Sequence, residues 1–178
     1  MNNTPITMVL VLVRDGDRIL LGRKKRGFGQ GKWNGFGGKV EPGESIEAAA
    51  RREFIEETSS DIRELRSVGQ LSFTFADGQP ELEMHVFAAA ELIGEPQETD
   101  EMFPDWFKID SIPFDEMWAD DQYWLPLFLS DRRFVGSFHY ADETTILHHS
   151  VIKLENCLAD NGTQFCQLAL AEINEADN

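Results

Sequence analysis

Residues 38–60, GKVEPGESIEAAARREFIEETSS, constrain this chain more than any other stretch. Pro42-Gly43 breaks the backbone, Ala48-Ala49-Ala50 favours helix, and the run from about residue 44 to 58 reads as one helix. Residues three and four apart are neighbours on a helix surface, so the carboxylates of Glu53, Glu56 and Glu57 can converge. At about 100° per residue, Glu53 and Glu57 fall within roughly 20° of Ile46, on the stripe that also carries Ala50. Glu56 lies at the border of that stripe. Two glutamates thus share a stripe whose other members are apolar and should face inward.

Turning carboxylates toward a core is costly unless they are paired or bind a metal. A solvated acidic face is the plain alternative. The glycine-rich approach and the shared apolar stripe favour the metal reading, and an oxygen-only donor set suits Mg²⁺ before Zn²⁺.

The same stretch resembles the signature of the Nudix hydrolases, which act on nucleoside diphosphates linked to another group. Their pattern is Gly, five residues, Glu, seven residues, Arg-Glu, an apolar residue, any residue, Glu-Glu, any residue, Gly, apolar. Gly38, Glu44, Arg52, Glu53, Phe54, Glu56 and Glu57 match it. Ser59 stands where glycine is usual and Ser60 where an apolar residue is usual. Glycine there ends the helix in a left-handed turn that serine adopts less readily. The resemblance implies Mg²⁺, with Mn²⁺ as a substitute, held mainly by Glu53, Glu56 and Glu57. These three and Arg52 form the catalytic group, with Arg52 holding the acidic side chains in place.

The 178 residues suffice for one domain with an extension, and 42% are hydrophobic, enough for a sizeable core. A formal net charge of −16 argues against a nucleic-acid polymer or an anionic membrane as partner. No long apolar run and no signal peptide is visible, so the cytoplasm is the expected location. Cys157 and Cys166 read as free thiols.

Thr7 to Val13 reads as a strand buried on both faces, followed by the Asp15-Gly16 turn and a second strand, Arg18 to Leu21. Residues 22–38 are glycine-rich and carry Arg23, Lys24, Lys25, Arg26 and Lys32, the one locally basic segment of an acidic chain. A flexible basic loop is one reading. The other is a phosphate-facing loop with Phe28, Trp33 and Phe36 as pocket walls. Ser67 to Phe75 alternates, with Leu71, Phe73 and Phe75 on one face, and Glu81 to Glu91 carries a further strand. Glu95 to Trp106 reads as an acidic loop, and 106–109 as a short strand. In 113–128, PFDEMWADDQYWLPLF, acids and aromatics interleave. Trp118 can stack on a purine while Asp120 and Asp121 read its edge. A helix N-cap is the alternative for either aspartate. Phe134 to Tyr140 and Thr144 to Val151 read as closing strands, and Gln164 to Ile173 has helical periodicity.

The run LLGRKKRGFGQGKWNGFGGK and the segment around Trp118 to Trp124 resemble one subfamily, the animal-type 8-oxo-dGTPases, which act on oxidised purine nucleoside triphosphates. Ala119 stands where that subfamily usually has proline. This resemblance implies that Asn34 bonds the base and that Thr7, Lys24, Phe28, Phe73, Phe75, Met102, Trp118, Asp120 and Asp121 line the substrate site. It also implies that the Gly37 carbonyl and Glu101 help to hold the metal.

The resemblance covers roughly residues 6 to 152, which gives a Nudix domain over 1–153 and an extension over 154–178. It implies an α/β fold, a mixed curved β-sheet sandwiched between helices, and a monomer. The expected reaction is Mg²⁺-dependent hydrolysis of 8-oxo-dGTP, with 2-oxo-dATP as a further substrate, to monophosphate and pyrophosphate. A Nudix hydrolase of ADP-ribose, a dinucleoside polyphosphate or an O6-methylated purine triphosphate stays open, as does a non-catalytic nucleotide-binding module.

Overall fold

The computed structural model describes residues 4–154. The cysteines, the periodic segment 164–173 and the rest of the C-terminal extension lie outside the described residues.

In chain order the elements are β1 (Ile6–Asp15), β2 (Arg18–Lys24), β3 (Trp33–Asn34), α1 (Ile46–Thr58), β4 (Asp61–Phe75), β5 (Leu82–Ile93), β6 (Met102–Lys108), α2 (Asp121–Leu129), β7 (Arg133–Tyr140) and β8 (Ile146–Leu154). The strands form a mixed eight-stranded sheet in the order β3-β2-β1-β5-β4-β7-β8, with β6 also on β2. β4 and β7 run parallel. The pairs β1–β2, β2–β3, β2–β6 and β7–β8 are antiparallel. This is an α/β fold, a mixed sheet accompanied by helices, as the resemblance implies.

Two compact units share the long strands β4 and β5. The unit of residues 8–66 and 86–118 holds β1, β2, β3, α1 and β6. Its core gathers Val9, Val11 and Val13 from β1, Leu20 from β2, Ala49, Ala50 and Phe54 from α1, Phe36, Phe87 and Met102. The apolar stripe of α1 explains this packing: Ala49 and Ala50 let the helix approach the sheet closely, and Phe54 meets Phe36 edge-on at 5.2 Å. The glycine-rich chain after β3 is stitched to β1, where Val9 and Val11 donate to the carbonyls of Gly38 and Phe36.

The other unit holds residues 67–85 of β4 and β5, with α2, β7 and β8. In it the indole of Trp124 from α2 stacks on Phe134 of β7 at 5.5 Å. Phe73 of β4 stacks on Phe138 of β7 at 5.7 Å.

Several boundaries differ from the sequence expectation. α1 begins at Ile46, because Ser45 takes the N-cap and accepts from the Ala48 N–H at 3.1 Å. Ser59 adopts the left-handed turn with φ 54° despite lacking glycine's freedom, and its N–H closes on the Ile55 carbonyl at 2.8 Å. β4 starts at Asp61, ahead of the expected Ser67. β6 reaches back to Met102, into the segment expected to be an acidic loop, and is paired along its length to β2. Among the described residues β6 pairs with β2 alone, so one side of the strand carries no ladder bonds and Pro104 is tolerated there.

Candidate active site

α1 carries the carboxylates at three levels of exposure. Glu57 is buried, with only 2% of its surface exposed. The Glu53 side chain is 16% exposed and that of Glu56 59%. Each is met by a cation. Lys24 Nζ donates to Glu57 Oε1 at 3.0 Å, and the Gly37 N–H donates to Glu57 Oε2 at 2.9 Å. Arg52 donates to Glu53 Oε1 at 2.8 Å and to Glu56 Oε2 at 3.3 Å. The same guanidinium grips both oxygens of Glu44, at 2.7 and 3.1 Å, and donates to the Lys39 carbonyl. Its own protonated state is reinforced first by Glu44 and then by Glu53. Arg52 therefore ties the start of the motif to the helix, as expected for a group that holds carboxylates in place.

The full convergence expected from helical spacing is not seen. Among the described residues, no three His, Cys, Asp or Glu side chains gather as a ready metal cage. Like charges repel, and here Lys24 and Arg52 draw the carboxylates toward separate cations.

The residues nonetheless fit a hard divalent cation. The donor set is oxygen-only, and one member is a carboxylate held inside the protein. Burial pushes Glu57 up to about 7, with Lys24 opposing that rise. The backbone also makes room for the carboxylates. A Cβ on Gly38 would lie 2.5 Å from the Glu53 carboxylate, and one on Gly37 would collide with the Val9 carbonyl.

Glu101 comes close to this group through loop chemistry that the sequence does not advertise. Thr99 Oγ1 accepts from the N–H groups of Glu101 and Met102, and the Glu101 carbonyl accepts from Lys25 N–H. Arg26 then bonds Glu101 Oε1 at 2.5 Å and holds that carboxyl below the usual range. Lys24 Nζ lies 3.9 Å from Glu101 Oε2, so this lysine stands between Glu57 and Glu101. Met102 is buried against Gly22 of β2.

The basic loop carries a stacking surface. Phe28, 57% exposed, stacks on Trp118 with ring centroids 4.8 Å apart. Lys32 Nζ lies 5.1 Å from the Trp118 ring centroid and bonds the Met117 carbonyl at 3.3 Å. Asn34 sits half-buried, its Oδ1 accepting from the Gly35 N–H at 2.8 Å, which leaves its amide nitrogen as a further donor.

Asp120 and Asp121 are both buried, at 5% and 2% exposed. Asp120 occupies the N-cap position of α2 yet makes no side-chain cap bond. Its oxygens go elsewhere: Trp124 Nε1 donates to Oδ2 at 2.9 Å, and Tyr140 OH donates to Oδ1 at 2.6 Å. Burial first, and Asp120 next, hold the Tyr140 hydroxyl in its protonated form. Phe73 and Phe75 lie 6.4 and 6.1 Å from the Tyr140 ring, so the expected pocket walls and Asp120 flank one tyrosine. Thr7, at the start of β1, is half-buried. Trp124, between the aspartates and the rest of α2, is 2% exposed and belongs to the core. Tyr140 was read only as the end of a strand, since nothing in its spacing to Asp120 points to their bond.

Among the described residues, no helix is long and apolar enough to cross a membrane.

Comparison with known proteins places these features in context. The NUDIX domain model matches residues 4–128. The chain is 49% identical to the oxidized purine nucleoside triphosphate hydrolase of Mus musculus, over 83% of this chain and 94% of that protein. It is 49% identical to the protein of the same name from Danio rerio, over 84% and 96%. Among solved structures it resembles the mutator MutT protein of Bacillus halodurans, with TM-score 0.73 and 32% identity over 82% of this chain and 97% of that one.

Proposed function

The chain belongs to the Nudix hydrolase family, and from that premise we propose that it hydrolyses oxidised purine nucleoside triphosphates. The substrate is 8-oxo-dGTP, with 2-oxo-dATP as a second, and the products are the monophosphate and pyrophosphate. The observation that carries this reading is the 49% identity to two hydrolases of that name, each matched over nearly its whole length. The role is removal of damaged nucleotides from the precursor pool, by a monomer in the cytoplasm.

Nudix proteins generally use a divalent metal, and Glu53, Glu56 and Glu57, with Glu101 and the Gly37 carbonyl, would hold Mg²⁺ here. When bound, the cation neutralises phosphate oxygens and lowers the pKa of water. The protein's own groups do the rest. Lys24, close to Glu57 and Glu101, is placed to exchange a carboxylate partner for a phosphate oxygen. Arg52 keeps Glu53 and Glu56 on one side of α1. Glu57 and Glu101 are the two candidates for the general base. Phe28, Trp118 and Asn34 supply stacking and hydrogen bonding to the base, and Asp120 and Asp121 supply its edge contacts.

The test is product chromatography with Mg²⁺ on 8-oxo-dGTP, 2-oxo-dATP, O6-methyl-dGTP, dGTP, dATP and ADP-ribose. Preferred conversion of the oxidised purines to monophosphate and pyrophosphate is expected. Preference for O6-methyl-dGTP or ADP-ribose would move the chain to another Nudix substrate. Tight nucleotide binding without turnover would make it a binding module.

A further inference from the structure

A carboxylic acid can donate a hydrogen bond only from an oxygen that carries its proton. Both oxygens of Asp120 already face donors, the indole N–H of Trp124 and the hydroxyl of Tyr140. All three side chains are buried, at 5%, 2% and 2% exposed, so water does not compete for these bonds. Each oxygen is held in an accepting role by a donor aimed at it. A carboxylate pinned from two sides is an acceptor and donates nothing.

Purine edges differ in what they offer such a group. The guanine edge presents two adjacent donors, N1–H and the 2-amino group. The adenine edge presents the 6-amino donor beside N1, which is an acceptor. An acceptor-only carboxylate pairs with the first edge through two bonds and repels the second at N1.

We propose that Tyr140 is a base-selectivity residue, acting through Asp120: its hydroxyl, with Trp124, fixes that carboxylate as an acceptor and biases the site toward guanine-type edges. Tyr140 is a positioning residue rather than a catalytic one. Its ring lies beside Phe73 and Phe75 while its hydroxyl reaches Asp120, so packing and charge control meet in one side chain. This inference rests on the proposed purine triphosphate reading.

The experiment uses the full chain with Mg²⁺ and a mixture of 8-oxo-dGTP and 8-oxo-dATP, which share the lesion and differ in the edge. Relative consumption gives the ratio of kcat/KM values directly. Wild type should favour 8-oxo-dGTP, and Y140F should lower the ratio about tenfold, the effect of one charge-assisted bond. The change should appear in KM, because the aspartate reads the base and not the phosphates. W124F removes the other donor and should move the ratio in the same direction, which guards against a folding defect peculiar to Y140F. An unchanged ratio in a folded, active Y140F would overturn the proposal, as would a parallel loss on both substrates. If wild type hydrolyses neither triphosphate, the proposed function has failed. Calorimetric binding of 8-oxo-dGMP and 8-oxo-dAMP then decides the inference: a guanine preference lost in Y140F supports it, and equal affinities in wild type overturn it.

Discussion

Lys24 Nζ sits 3.0 Å from Glu57 Oε1, and that carboxylate is almost fully enclosed. Lysine here supplies the positive charge that Mg²⁺ would supply in the proposed site. On that reading, Glu57 is the residue for which lysine, metal and proton compete.

The competition has a sign. Burial raises the Glu57 carboxyl from its ordinary 4.5 to about 7. Between those values the folded chain holds more protons than the unfolded one, so its stability falls as pH rises through that window. The melting temperature of the metal-free protein should therefore drop from pH 5 to pH 7, and E57Q should lose most of this slope. Metal ligation requires the deprotonated group, so Mg²⁺ affinity should move the opposite way and rise with pH across the same range. A thermal melt series in chelator, and Mg²⁺ titrations of activity at each pH, check both. Equal slopes in wild type and E57Q would remove Glu57 from the account.

Arg52 gathers Glu44, Glu53, Glu56 and the Lys39 carbonyl around one guanidinium. R52A should cost about 1–3 kcal/mol of stability and weaken Mg²⁺ half-saturation at least several-fold. R52K should recover little, because a point ammonium cannot span two directions at once. Chemical denaturation and Mg²⁺ titration of turnover measure the two effects separately.

Gly38 tests the site without replacing a proposed ligand. A Cβ there would meet the tip of the Glu53 side chain at 2.5 Å, a contact that a flexible side chain can relieve by moving. G38A should leave the melting temperature within a few degrees and still weaken Mg²⁺-dependent activity on the order of tenfold, since displaced ligands lose alignment. Unaltered Mg²⁺ dependence in this variant would show that Glu53 has no placed role.

Asp120 should matter twice. D120N leaves one of two buried donors facing an amide N–H₂, a loss of about 1–3 kcal/mol in stability. It also removes an acceptor from the base edge, so selectivity among purine triphosphates should fall while Mg²⁺ half-saturation stays unchanged. Kinetics on paired substrates together with a Mg²⁺ titration separate these outcomes, and wild-type selectivity would refute the base-reading role.

Much of this is legible in the sequence. Glu53 and Glu57 were placed by the period of α1, because helical spacing is rigid enough to predict which side chains share a face. Which of them is enclosed was not legible: Glu57 is buried by Lys24 and Gly37, residues far off in the chain, and Glu56 is left in solvent. Ser59 looked like a defect in the helix stop, yet the Ile55 carbonyl and the rest of the turn hold it left-handed. β6 was missed at its start because its pairing with β2, not its own composition, makes it a strand. The Tyr140–Asp120 bond joins the end of β7 to the start of α2, and no local pattern records such a meeting.

The central claim is that this Nudix chain selects oxidised purines. Its most direct test is the ratio of kcat/KM for 8-oxo-dGTP over dGTP, measured with Mg²⁺ and with products identified. The account predicts a ratio well above tenfold, with monophosphate and pyrophosphate as the only products. A ratio near one, or release of orthophosphate in place of pyrophosphate, would contradict it.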